Sequence, residues 1–184
     1  MHEDIQRWNK KFAGREISTA PDPDDCLIDN LYLPGIGDAL DIASGSGQNA
    51  IYLAQKGLNV TAIDGSETGM QLAEGLADNC GVAINRIVTD LDNYQLIGSF
   101  DLIIVLHYLN RDLFRQIPTH LKPGGVLVAK TFNEDFLQGR PSFNPDFVLK
   151  PDELLTLFSG LDVLQHLQSP DDAPGKSLLI AQKS

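Results

Sequence analysis

The chain has 184 residues, of which 42% are hydrophobic and 21% are charged. That length corresponds to one domain, and the apolar share is too high for a disordered segment. A formal net charge of −11 excludes a general attraction to nucleic acid or anionic lipid, because such a surface repels phosphate groups. Two cysteines are too few for a disulfide framework, and the four histidines have no metal-ligand spacing.

Two further features bear on location and assembly. The longest apolar runs are too short to span a membrane, and the opening MHEDIQRWNKKF has no apolar signal-peptide core. We therefore expect a cytoplasmic protein without a metal site and without a nucleic acid or membrane partner. A small domain with an exposed sheet edge leaves both a monomer and a homodimer open.

The apolar pattern begins with two helices and then alternates strands with helices, which is typical of an α/β fold with a parallel sheet. Helices are predicted over residues 3–13, 24–32, 48–56, 66–79, 111–120 and 151–159, with a Pro/Asp-rich loop over 19–25. Strands are predicted over residues 38–43, 58–63, 84–89, 99–106, 125–132, 161–168 and 176–182. The last two strands read as an antiparallel hairpin, after a long loop over 133–149. Within one domain, residues 1–35 form a helical cap or lid and residues 36–184 form the core.

A glycine-rich turn between the first strand and the next helix is the most informative segment. Gly45 and Gly47 let the backbone approach a ligand closely, and the amides that open the following helix attract electron-rich groups. Asp64 follows Gly45 by 19 positions (64 − 45) at the tip of the second strand. An acid there can accept hydrogen bonds from both hydroxyls of a ribose. The turn and the acid together predict a nucleoside-type cofactor.

The turn alone does not decide which cofactor binds. GSGQNA, residues 45–50, also fits the dinucleotide pattern G-x-G-x-x-A. Asp41, however, suits a cationic amino-acid tail better than a pyrophosphate, and Asp90 can reach an adenine amino group. These two acids argue against a dinucleotide, and a nicotinamide-dependent reductase remains an alternative. The structural alternatives are that Asp41 caps a turn and that Asp90 is a plain turn residue.

Several segments resemble the class I S-adenosylmethionine-dependent methyltransferases, particularly the small branch with tellurite-resistance and thiopurine-type enzymes. The resemblance covers about residues 8–183. The similar segments are WNKKF (8–12), LDIASGSGQNAIYLA (40–54), VTAID (60–64), TDLD (89–92), FDLI (100–103), HYLNR (107–111), LKPGG (121–125) and NPDFVLKPDELLTLF (144–158).

The resemblance implies a three-layer Rossmann-like sandwich whose seven strands have the order 3-2-1-4-5-7-6, with strand 7 antiparallel. It also implies that methionine binds at the 43–47 turn, ribose at the second strand and adenine after the third. The residues implied in cofactor binding are Asp41, Ala43, Gly45, Gly47, Asn49, Asp64, Gly65, Asp90, Leu91, Leu106 and His107. Asn49 replaces a third glycine found in many members, and its side chain can still contact a carboxylate.

Methyl transfer from a sulfonium is an in-line displacement, for which a protein mainly positions the nucleophile and excludes water. His107 is the candidate base, Tyr108 an orienting group, and Arg111 or Arg140 a partner for an anionic substrate. Trp8 and Phe12 are candidates for substrate contact from a closing helix. Each of these residues also has a structural explanation. His107 can be a hydrogen-bonded structural histidine, the aromatic residues can pack in the core, and the arginines can be solvated surface charges. The candidate acceptors are oxyanions of tellurium or selenium, thiols, and metabolite carboxylates or amines.

A second alternative for the whole protein comes from another functional class. The same cofactor residues would serve a non-catalytic sensor or partner subunit that binds S-adenosylmethionine without turnover. An intact glycine turn favours binding in either case, so the turn does not separate the enzyme from the sensor.

Overall fold

The computed structural model describes residues 2–14, 22–28 and 30–184. Its strands are β1 (Gly37–Ile42), β2 (Leu58–Asp64), β3 (Asn85–Val88), β4 (Phe100–Leu106), β5 (Leu121–Phe132), β6 (Asp162–Gln168) and β7 (Lys176–Gln182). They form one sheet in the order β3-β2-β1-β4-β5-β7-β6. Neighbouring strands are parallel except that β7 is antiparallel to β5 and β6. The predicted α/β fold, strand order and antiparallel seventh strand are confirmed.

The helices are α1 (His2–Phe12), α2 (Gln48–Gln55), α3 (Glu67–Asn79), α4 (Arg111–Phe114), α5 (Ile117–His120) and α6 (Glu153–Leu157). Three short 3-10 helices cover Asp25–Leu27, Glu134–Leu137 and Pro145–Phe147. The last two lie in the predicted long loop over 133–149. None of the helices in the described ranges combines the length and apolar character needed to cross a membrane.

The predicted helix over residues 24–32 is wrong. Among the described residues of this segment, only the single turn Asp25–Leu27 forms, with Asp24 as its N-cap. Beyond it, Asn30 Oδ1 accepts a hydrogen bond from the Tyr32 amide at 3.0 Å, a local turn that competes with helical hydrogen bonding. Residues 1, 15–21 and 29 of the predicted cap lie outside the described residues, as does the start of the predicted 19–25 loop.

The predicted helix over residues 111–120 is divided in two. Pro118 has no amide hydrogen to continue the helix that starts at Arg111, so α4 ends at Phe114 and α5 begins again at Ile117. The predicted helix over 151–159 is shorter than expected, since α6 spans only Glu153–Leu157.

The central strands are buried on both faces, as their apolar runs predict. On β4, Ile103 packs into the cluster on one face and Ile104 into the cluster on the other, both fully buried. Because β1, β2, β4 and β5 are parallel, their carboxyl ends meet at one edge of the sheet. That edge is where open α/β sheets bind ligands, and it carries the residues described next.

Candidate active site

The turn after β1 has a backbone that requires glycine. Gly45 and Gly47 have φ of 57° and 78°, and Ala43 also has a positive φ of 60°. A Cβ atom on Gly47 would lie 2.7 Å from the Cβ of Ala73 on α3, too close for any side chain. The turn therefore lies tightly against α3 at the carboxyl edge of the sheet.

Asp64 holds this turn from the tip of β2. Its Oδ2 accepts a hydrogen bond from the Gly45 amide at 2.8 Å, and its Oδ1 accepts one from the Ser66 amide at 2.7 Å. Burial raises the pKa of the Asp64 carboxyl despite these bonds. The Gly65 amide lowers this pKa as well. A carboxylate has about four lone pairs, so the side chain can still accept a hydrogen bond from a ligand.

Asp41 is the most unusual polar group of the site. It is only 1% exposed, and its Oδ2 is the one fully buried side-chain oxygen or nitrogen without a hydrogen-bond partner among the described residues. Burial, and then the charge of Asp64, raise the pKa of the Asp41 carboxyl well above its ordinary value. A buried polar atom without a partner is costly, and in a native protein it indicates a ligand or water that supplies the missing donor.

Two other predicted cofactor positions take part in protein contacts. Asn49 is buried, and its Oδ1 accepts a hydrogen bond from the Asp24 amide at 2.9 Å. Asp90 is exposed and accepts hydrogen bonds from the Asp92 amide at 3.1 Å and from Asn93 Nδ2 at 3.3 Å. These bonds make Asp90 a turn residue, and its contact with adenine stays a prediction. Leu91 and Leu106 are each 5% exposed and line the same edge of the sheet.

Helix α1 lies over the glycine turn. Phe12 is 6% exposed, and its ring would be 3.2 Å from a Cβ atom on Gly45. Trp8 stacks on Phe12 with ring centroids 5.8 Å apart and remains 40% exposed. Ile5 likewise lies over Gly65, and its Cγ1 atom would be 3.0 Å from a Cβ atom on Gly65. The helix thus covers the predicted cofactor turn with apolar side chains.

A buried ion cluster at the ends of β4 and β5 was not predicted. Asp24 Oδ2 lies 2.7 Å from His107 Nε2, and Asp24 Oδ1 lies 2.6 Å from Lys130 Nζ. Burial raises the pKa of the Asp24 carboxyl, but the hydrogen bonds with His107 and Lys130 outweigh this effect and hold the pKa well below its ordinary value. His107 itself follows β4 with a positive φ of 61°, and its amide donates to the Lys130 carbonyl at 2.7 Å.

Sequence reasoning missed Asp24 and Lys130 for different reasons. Asp24 sits in a run of prolines and acids that reads as a solvated loop. Lys130 could have been predicted, because a lysine inside the otherwise apolar run of β5 needs a buried counter-ion.

The remaining predicted catalytic groups are bound to the protein itself. Arg111 donates to both carboxylate oxygens of Glu153, at 2.6 and 3.0 Å, and to the Val148 carbonyl at 3.1 Å.

Burial raises the pKa of Tyr108 to about 12, so its hydroxyl stays protonated at neutral pH. Arg140 lies 4.2 Å from the centre of the Phe136 ring. These contacts favour structural roles for both arginines, and their contact with a substrate stays a prediction. Among the described residues, no three metal-ligating side chains converge.

Comparison with known proteins agrees with this geometry. Residues 39–125 match the family described as a methyltransferase domain, a stretch that holds the glycine turn, Asp41, Asp64 and His107. A ubiquinone biosynthesis O-methyltransferase from Rickettsia felis is 26% identical over 146 residues, which cover 68% of this chain and 60% of that protein. The chain spans between 35% and 60% of the length of the first curated relatives that it matches.

Solved structures share the whole fold. An S-adenosylmethionine-dependent methyltransferase from Clostridium acetobutylicum superimposes with a TM-score of 0.69 at 16% identity, over 98% of this chain and 92% of that one. TehB from Haemophilus influenzae also gives a TM-score of 0.69 at 16% identity, over 100% of this chain and 63% of that one. The fold is therefore that of S-adenosylmethionine-dependent methyltransferases. At this identity, the likeness to TehB shows the fold and not the tellurite-resistance branch.

Proposed function

We propose that this chain binds S-adenosylmethionine and catalyses transfer of its methyl group to a small-molecule acceptor. The observation that carries the proposal is the buried oxygen of Asp41 without a hydrogen-bond partner, next to a turn that requires glycine and the acid at the tip of β2. The methyltransferase-domain match over 39–125 supports the same reading.

The residues present fit this cofactor. A cationic ammonium group would give Asp41 the donor that it lacks and would favour its ionised form. Asp64 can still accept a hydrogen bond from a ribose hydroxyl, and the apolar side chain of Leu91 suits an adenine ring. When bound, S-adenosylmethionine supplies an activated methyl group. The protein's part is to bind the acceptor beside it, to exclude water and, where the acceptor carries a proton, to remove that proton.

A small-molecule acceptor is the finer part of the proposal. Curated relatives include O-methyltransferases named for ubiquinone biosynthesis and a methyltransferase named for 2-heptyl-1-hydroxyquinolin-4(1H)-one, and these names refer to small molecules. A net charge of −11 also opposes a nucleic acid substrate. The comparisons favour neither a nicotinamide-dependent reductase nor a non-catalytic binding protein.

Calorimetric titration with S-adenosylmethionine, S-adenosylhomocysteine and reduced nicotinamide dinucleotide tests the cofactor. We expect the wild-type chain to bind both adenosyl ligands and Asp64→Ala to lose at least about 2 kcal/mol of that binding, since charged hydrogen bonds contribute that much. Asp112→Ala is the matched control, because that carboxylate is 88% exposed and far from the turn in the chain. Binding of the dinucleotide alone would replace this proposal with the reductase.

A further inference from the structure

The order of the strands indicates which end of the site is left for the acceptor. β2, β1, β4 and β5 lie side by side, and at their carboxyl ends they carry Asp64, Asp41, His107 and Phe132, in that order. The proposed cofactor uses the first two, since Asp64 suits a ribose and Asp41 suits an ammonium group. The acceptor therefore has its place at the ends of β4 and β5.

Three phenylalanines, Phe132, Phe136 and Phe143, form an aromatic cluster at this end. The Phe132 ring centroid lies 4.1 Å from that of Phe136 and 6.0 Å from that of His107. The Phe143 centroid lies 5.1 Å from that of Phe136 and 6.2 Å from that of Phe132. All three phenylalanines are only half-buried, although they contact one another. The cluster thus offers a partly open apolar wall beside His107, on which a flat ring can pack.

The loop that carries Phe136 is held in place by the turn between β6 and β7. Asn133 is buried, and its Nδ2 donates to Ser169 Oγ at 2.9 Å and to Ser177 Oγ at 3.0 Å. Gly175 has a φ of 73°, and a Cβ atom on it would lie 2.9 Å from the Cα atom of Phe136. A ligand therefore binds to a surface that is already formed, which lowers the cost of binding.

Two cations lie over the rings of the aromatic cluster. The guanidinium carbon of Arg140 lies 4.2 Å from the centre of the Phe136 ring, and Lys176 Nζ lies 5.8 Å from the centre of the Phe132 ring. Arg140 donates one N–H group to the Phe136 carbonyl at 2.9 Å, and its other N–H groups have no acceptor in the described ranges. The cationic groups thus mark ring faces that are open to water.

Acids in the same region do not neutralise these two cations. Asp135 accepts a hydrogen bond from Ser169 Oγ at 2.5 Å, and Asp24 is bound by the histidine and the lysine of the buried ion cluster. Asp172 lines a cavity together with Lys176, yet the described residues show no ion pair between them. In a chain with a net charge of −11, an apolar wall with two cations that lack counter-ions indicates an anionic ligand.

We propose that the acceptor is a flat, apolar acid, such as an aromatic carboxylate, whose ring packs on the aromatic cluster and whose anionic group is bound by Arg140 and Lys176. An arginine can donate two parallel hydrogen bonds to a carboxylate, and a lysine adds a point charge. Both residues determine specificity, since they orient the acceptor beside His107 and take no part in the chemical step. This inference rests on the proposed function and names the substrate class of the same site.

Calorimetric titration of 2-naphthoate and 2-naphthamide into the protein saturated with S-adenosylhomocysteine tests the inference without turnover. The two probes have the same ring system, and only naphthoate is charged at neutral pH. We expect the wild type to bind naphthoate about tenfold or more tightly than naphthamide, because only the carboxylate forms charge-assisted hydrogen bonds with both cations. Nuclear Overhauser effects should connect the naphthoate ring with the methylene groups bonded to the sulfur of S-adenosylhomocysteine.

The variants separate charge from packing. Arg140→Met/Lys176→Met keeps the alkyl stems and removes both charges, so it should bind the two probes about equally. Arg115→Met/Lys56→Met is the matched control and should keep the wild-type preference. It also removes one arginine and one lysine, of which Arg115 is largely exposed and Lys56 lies over an aromatic ring at the far end of α2. Phe143→Leu should weaken the binding of both probes several-fold, because it removes apolar contact.

The inference is overturned if the wild type does not prefer naphthoate, if Arg140→Met/Lys176→Met keeps the preference, or if the control loses it equally. Wild-type affinity of Phe143→Leu for both probes would also overturn it, as would bound naphthoate without a nuclear Overhauser effect to the cofactor product. Binding of S-adenosylhomocysteine shows that each variant is folded. Failure of the wild type to bind S-adenosylhomocysteine would instead contradict the proposed function.

Discussion

At the scale of single residues, Asp41 shows most directly that the fold is built around a ligand. A carboxyl oxygen without a partner, 1% exposed in the middle of a sheet, lowers the stability of the empty protein. If this position served folding alone, an apolar side chain would make the protein more stable than Asp41 does. Its presence is explained by a cationic group that binds beside it.

Asp41→Asn should separate folding from binding. The raised pKa of Asp41 means that its contribution to stability is present below the unfolded pKa and is lost as the pH rises towards the folded value. The amide introduced by the substitution carries no charge to bury, so we expect thermal stability at neutral pH to equal or exceed that of the wild type. The affinity for S-adenosylhomocysteine should fall about tenfold or more. Melting curves between about pH 4 and pH 8 and calorimetry measure both.

The contrary result would be a variant that melts earlier at neutral pH yet binds S-adenosylhomocysteine as the wild type does. Asp41 would then be a structural residue, in agreement with the alternative that it caps a turn. Asp112→Asn, which changes a carboxylate that is 88% exposed, should alter neither quantity.

The predictability of single residues depended on where they stand in the chain. Gly45, Gly47 and Asp64 follow directly from strand ends, and the parallel sheet brings such ends together whatever the loops do. Asp24 and Lys130 are 106 positions apart, and Asp24 and His107 are 83 apart. No local pattern specifies which loop returns to which strand end, so these contacts needed the structure.

At the scale of elements, Arg111 joins the start of α4 to the segment before α6. Its guanidinium donates a bidentate pair of hydrogen bonds to Glu153 and also donates to the carbonyls of Asp146 and Val148. The hydrogen bonds from Arg111 lower the pKa of Glu153, so the stability of this contact is present above the ordinary pKa of a glutamate and is lost as the pH falls.

Arg111→Met should reduce the free energy of unfolding by about 2 kcal/mol, because it leaves Glu153 and two carbonyls without donors. The matched control is Arg115→Met, whose ion pair with Asp112 is largely exposed, and which should change stability by less than about 0.5 kcal/mol. Urea unfolding measures both. A large loss of S-adenosylhomocysteine binding in Arg111→Met, without loss of stability, would instead support the direct role in the site that the sequence predicts.

The elements themselves were predictable where hydrophobic burial determines them. All seven strands and the long α3 follow from apolar runs and from the capping residue Ser66. The larger errors fall on residues 24–32, which contain Asn30, and on residues 111–120, which contain Pro118. There, local hydrogen bonds and the missing amide of Pro118 decide the backbone, and periodicity gives little information.

At the scale of the whole molecule, the net charge of −11 should affect how the cofactor arrives. S-adenosylmethionine carries a sulfonium charge that S-adenosylhomocysteine lacks, so the field of the protein attracts the first and leaves the second unaffected.

Stopped-flow association at increasing salt concentration tests this attraction. The rate constant for S-adenosylmethionine should fall several-fold between about 10 mM and about 300 mM salt, as screening shortens the reach of the field. That for S-adenosylhomocysteine should stay nearly constant. Parallel salt dependence of the two ligands would show that the charge acts on the protein's conformation and not on the encounter.

The position of β7 has a consequence for the order in which the sheet can be completed. β7 follows β6 along the chain, yet it lies between β5 and β6 and makes the only pairing that β6 has among the described strands. A growing polypeptide that has emerged only as far as residue 168 does not yet contain β7, the strand with which β6 pairs. During synthesis, the half of the sheet with the glycine turn can assemble first, while β5 exposes an open edge. Chaperones or early compaction would have to protect that edge until residues 176–182 leave the ribosome.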